Sequence, residues 1–81
     1  MNNPVDIQLV HPKLIKSHRI PGDGIRAPGC ITLREWRPGQ EWVTHFRNTQ
    51  TGGYYYGKYF TNLADAEANF RERVFAYGGQ L

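Results

Sequence analysis

Few residues in this chain are suited to covalent or acid–base chemistry. Cys30 is the single cysteine, Ser17 the single serine, and histidine occurs at positions 11, 18 and 45. One thiol excludes an intramolecular disulfide and a thiolate zinc site within one chain. His11, His18 and His45 lack the spacing of a metal-binding motif, so no metal or cofactor is expected. Ser17 lies beside His18, but a nucleophile–base pair needs a third group that orients the base. Cys30 and His45 are a nucleophile and a base with no such orienting group in view. Asp65 and Glu67, two apart on a helical stretch, point in different directions and do not pair. Gly22-Asp23-Gly24 lacks the Lys-Ser or Lys-Thr that follows a phosphate loop, and reads as a turn. The expectation is a protein with no catalytic residues.

Basic and aromatic residues carry the stronger signal. Ten Lys and Arg against seven Asp and Glu give a formal charge of +3 in 81 residues, with aromatics at 14%. The excess lies outside the C-terminal segment, where Arg71 and Arg73 meet Asp65, Glu67 and Glu72. Arginine can grip phosphate or read guanine edges, and aromatic rings can stack on bases. Such residues serve chemistry of this kind when a scaffold puts them on one surface, so the elements that position them come next.

Cys30–Arg37 alternates as a strand, with Ile31 and Leu33 on one side and Thr32, Arg34 and Trp36 on the other. Pro38-Gly39 is a turn, since proline presets φ and glycine accepts positive φ. Glu41–Arg47 is a second strand, with Trp42, Thr44 and Phe46 on one face and Val43, His45 and Arg47 on the other. Asn48–Gly53 turns the chain again. Tyr54–Phe60 is a third strand, rich in the aromatics that strands favour. Gly57 within it marks a bulge or a close approach of other atoms. Residues 62–77 read as a helix capped by Thr61 or Asn62, with Leu63, Ala66, Phe70, Val74 and Tyr77 on one face. Glu67 and Arg71 make a favourable i, i+4 pair, and Gly78-Gly79 ends the helix.

The expected fold class is therefore α+β: a three-stranded antiparallel meander packed on one C-terminal helix (βββα) over residues 30–81. Residues 1–29 form an N-terminal extension. Alternation over residues 5–10 permits an extra N-terminal strand, and prolines and glycines over 11–29 predict a loop. The helix covers the face bearing Leu33, Trp42 and Phe46. The opposite face is expected to show Thr32, Arg34, Trp36, Val43, His45, Arg47, Tyr54, Tyr56 and Lys58. Phosphate contacts are expected from Arg37 and Lys58, with Lys13, Lys16 and Arg19 of the loop. Arg34, Arg47 and the aromatics are expected at bases or sugars.

Residues 31–77 resemble the three-strands-and-a-helix DNA-binding domain of plant ethylene-response factors. They also resemble the small arm-binding domain at the N-terminus of phage and transposon integrases. The resemblance rests on Trp42–Arg47, a Trp-led strand ending in a basic residue, and on Phe60-Thr61-Asn62-Leu63-Ala64-Asp65-Ala66, which opens the helix. It implies a sheet lying in the major groove of duplex DNA, with Arg34, Trp36, His45, Arg47 and Tyr56 touching DNA. In style the chain is also similar to small accessory proteins of phages and plasmids, some of which inhibit a host protein. The rival expectation is thus a protein-interaction module using the same face, as a monomer or weak dimer. One cysteine, no signal-like start and no apolar run near the ~18 residues of a membrane span predict a cytoplasmic protein without a membrane partner.

Overall fold

The computed structural model describes residues 13–22, 24–25 and 27–78. Strands β1 (Lys13–Ile20), β2 (Gly29–Arg37), β3 (Glu41–Asn48) and β4 (Tyr54–Phe60) precede one helix, α1 (Leu63–Ala76). The strands form one antiparallel sheet in the order β1-β2-β3-β4, so the fold is α+β. No helix among the described residues is long and apolar enough to cross a membrane.

The sheet has four strands where the sequence pattern predicted three and permitted one more at the N-terminus. Lys13–Ile20 is an edge strand paired with β2, not part of a loop over 11–29. Its alternation is hidden by a register shift between Leu14 and Lys16, which leaves Ile15 as an extra residue. Charged side chains along it also mask a strand signal, and such charges are a usual defence of exposed edges. The strand expected at residues 5–10 lies outside the described residues. Between Ile20 and Gly29 the described residues carry no regular structure, in keeping with Pro21, Gly22 and Pro28.

Local chemistry sets the two meander turns. Gln40 N–H donates to the Arg37 carbonyl at 2.9 Å, closing a turn in which Gly39 takes φ +68°. The Asn48 side-chain oxygen accepts from the backbone N–H groups of Gln50 and Thr51 at 2.8 and 3.1 Å, which shapes the β3–β4 connection. Asn62 caps α1, its side-chain oxygen accepting from Asp65 N–H at 3.2 Å.

One sheet face carries α1. Ile20, Ile31, Leu33 and Phe46 from the sheet pack with Ala66, Phe70 and Val74 from the helix, and Trp42, Phe60 and Tyr77 close the margin. Phe46 and Tyr77 stack with ring centroids 5.2 Å apart. Burying such side chains is worth roughly 1.5–3 kcal/mol each, which makes this layer the main support of a thin fold. The Thr44 hydroxyl, buried, donates to Asn69 Oδ1 at 2.6 Å and fixes the helix over β3. Glu67 turns to Lys16 on β1, at 3.5 Å, rather than along the helix to Arg71. Leu63, expected in the apolar stripe, lies exposed at the helix start.

Candidate nucleic-acid interface

Cross-strand partners in an antiparallel sheet share a face, so the pairing assigns every strand residue to a side. On the side away from α1 three rows cross the sheet. Arg19, Cys30, Arg47 and Tyr54 form the first. Ser17, Thr32 and His45 form the second, which meets β4 at Tyr56 and Gly57. Leu14, Arg34, Val43 and Tyr59 form the third. Beyond it, Trp36 and Arg37 both oppose Glu41, because the register shifts between Glu35 and Arg37.

A bulge in β4 changes the expected membership of this face. Tyr56 and Gly57 together oppose His45, between the pairs Phe46–Tyr55 and Thr44–Lys58. The extra residue reverses the alternation of everything after it. Lys58 therefore stands on the helix-bearing side, where its Nζ lies 5.8 Å from the Phe60 ring centroid. Tyr59, not expected at the site, takes its place on the open side. Tyr56 sits at the bulge with φ +60° and its side chain 71% exposed. Its ring borders an open groove of about 380 Å³ with Phe46 and Tyr77, so it belongs with the helix end rather than with the arginines. Gly57 permits the arrangement by its missing side chain: a Cβ there would stand 2.7 Å from His45 Nε2. Both senses of the glycine signal, bulge and close approach, hold at one position.

Arg34, Trp36, His45, Arg47 and Tyr54 are brought together on the open face as expected, and Arg37 joins them through the register shift at Trp36. Arg19, which the sequence pattern placed in a loop, joins them from β1. Cations sort by type between the two sides. Lys13, Lys16 and Lys58 pair onto the helix-bearing face, whereas Arg19, Arg34, Arg37 and Arg47 lie on the open face. The only strand carboxylate on the open side is Glu41, 3.6 Å from Arg37. Glu35 points to the other side and accepts from Gly39 N–H at 3.0 Å.

Tyr54 organises the cationic end. Arg34 Nη2 donates to Tyr54 Oη at 2.7 Å. The guanidinium carbons of Arg34 and Arg47 lie 5.4 and 5.6 Å from the Tyr54 ring centroid. His45 meets the same ring edge-on at 5.3 Å. Burial, then the charges of Arg73 and Arg34, hold the His45 imidazole below its ordinary 6.5. Thr32 beside it is 2% exposed, and neither its Oγ1 nor His45 Nδ1 has a hydrogen-bond partner among the described residues. At the other end Trp36 and Tyr59 form an edge-to-face pair, 5.6 Å between centroids and 80° between planes. The chain matches no protein-family model, no curated protein and no solved structure.

Among the described residues no cluster of three or more His, Cys, Asp or Glu could hold a metal ion. Cys30 and His45 fall in adjacent rows of the open face and are not directly opposed. Tyr59 is the residue that pattern reading missed, and Arg19, expected at phosphate from a loop, stands instead on β1. The glycine inside the aromatic strand was the one signal that could have moved attention from Lys58 to Tyr59.

Proposed function

We propose that this chain is a binding module that contacts nucleic acid through the sheet face opposite the helix. The observation that carries the reading is the segregation of cations: four arginines and one glutamate on that face, with the strand lysines on the other. Arginine presents a planar fork suited to phosphate and base edges, and is more weakly hydrated than lysine, so its concentration on one surface favours this ligand. Arg34 is held by the Tyr54 hydroxyl, which lowers the ordering cost of binding. Arg19 and Arg47 supply phosphate contacts at one end, and Trp36 and Tyr59 offer ring surface at the other. The likeness to sheet-based DNA-binding domains supports the same face.

The test is fluorescence anisotropy of a labelled oligonucleotide titrated with protein from ~50 to ~200 mM salt. Each phosphate neutralised contributes about −0.9 to the slope of log K against log salt on duplex and about −0.7 on a single strand. Four arginines therefore predict a slope no steeper than roughly −4. Arg47→Ala should weaken binding and make the slope shallower by about one contact. Binding that ignores salt, or no binding at ~50 mM, contradicts the reading and directs attention to a protein partner for Trp36, Tyr54 and Tyr59.

A further inference from the structure

The geometry points to single-stranded nucleic acid, rather than duplex, as the ligand of the open face; this inference rests on the nucleic-acid reading above. Sheet width is the first argument. Neighbouring strands lie about 4.8 Å apart, so β1 and β4 stand about 14 Å apart before side chains are added. The major groove is about 12 Å wide and admits a helix or a two-stranded ribbon. A three-stranded face comes close to fitting, but β1 adds a fourth strand, and its Arg19 lies on the same side.

The division of the face into two ends is the second argument. Arg19, Arg47 and Tyr54 with its bound Arg34 form the cationic end. Trp36 and Tyr59, with Arg37 beside Trp36 and paired to Glu41, form the aromatic end, two rows away along β3 from Arg47 to Val43, or about 13 Å. Their rings stand at 80° to one another, and the two residues are 40% and 48% exposed. Two half-exposed rings at that angle make a step in which one base can lie flat on a ring with its edge against the other. A paired base inside a duplex shows only its edges in a groove, so the aromatic end would gain no base stack from duplex. A single strand can lay its phosphates along the arginines and turn its unpaired bases onto the rings.

The experiment compares one labelled 15-mer as a single strand and as a blunt duplex, under identical low salt, against wild type, Trp36→Ala, Trp36→Phe and Arg47→Ala. Circular dichroism melts confirm that each variant is folded. The wild type should bind the single strand at least tenfold more tightly. Trp36→Ala should weaken single-strand binding by about five- to a hundredfold, the range expected for one lost base stack, and weaken duplex binding by less. Trp36→Phe should retain most of the affinity, and Arg47→Ala should weaken both forms. Duplex binding equal to or tighter than the single strand, or an unchanged single-strand affinity in Trp36→Ala, overturns the inference while leaving a nucleic-acid module. Failure of the wild type to bind either form removes the nucleic-acid reading itself.

Discussion

Gly29 opens β2 at the point where the β1, β2 and β3 backbones lie side by side, paired to Ile20 on one side and Asn48 on the other. A Cβ there would run into the Arg47 backbone carbonyl oxygen and stand 2.6 Å from Phe46 Cε1 and Cζ. Carbon atoms are comfortable at about 3.5–4.0 Å, so the Phe46 ring would have to retreat by about 1 Å. It has little freedom to do so, being 7% exposed and stacked on Tyr77. The carbonyl is backbone and moves only with β3. Overpacking of this kind costs about 1–3 kcal/mol. The lower entropy of an unfolded chain with alanine returns about 0.4–1 kcal/mol. Gly29→Ala should therefore destabilise the fold by up to about 2.5 kcal/mol, lowering Tm by up to roughly 20 °C for a domain of this size. Thermal and urea unfolding followed by far-UV circular dichroism would measure it. The sign is the test: without the close approach only the entropy effect remains, so a raised Tm would refute the packing at the β1–β2–β3 junction.

Further outcomes follow from the same geometry. Tyr56 holds φ +60°, which costs a non-glycine residue about 1–2 kcal/mol, so Tyr56→Gly should be neutral or stabilising, visible as a raised Tm, whereas glycine at Tyr59 should lower it. Thr44→Val keeps the shape of a buried residue but loses its 2.6 Å bond to Asn69; a loss of about 1 kcal/mol in urea unfolding is expected. His45 is depressed in the folded state by burial and by Arg73 and Arg34. The unfolded chain thus takes up that proton first as pH falls below about 6.5, and stability should drop from there down to the folded-state value. His45→Gln should flatten that part of the stability–pH curve, and a His45 NMR titration midpoint at or above 6.5 would contradict the assignment.

Much of this architecture is legible in the residues, and the exceptions have physical causes. Strands β2 and β3 and the helix announce themselves by a clean period and β4 by its aromatic content, each with a defined stop: Pro38-Gly39, Asn48–Gly53, Asn62 and Gly78. β1 hides because it is an exposed edge. Lys13, Lys16 and Arg19 interrupt its pattern, and Ile15 is an inserted residue that resets its phase. The candidate site was misread in one place for a related reason. Alternation assigns faces only while the ladder is regular, and the Tyr56–Gly57 bulge moves Lys58 to one side and Tyr59 to the other. Sequence contains the glycine but not which of its neighbours carries the extra step. Arg34, Arg47 and Tyr54 lie before the bulge or on regular strands, and their shared face was readable from period alone.

The most direct test of the central claim exploits that bulge. Arg47→Glu and Lys58→Glu change net charge equally, but on opposite faces of the same sheet. Oligonucleotide affinity should be measured for both at ~0.15 M salt, where screening limits the reach of an exposed charge to about 8 Å. If the open face binds nucleic acid, Arg47→Glu loses at least tenfold in affinity and Lys58→Glu changes it by less than about threefold. Equal losses, or a greater loss in Lys58→Glu, would contradict binding through the face opposite the helix.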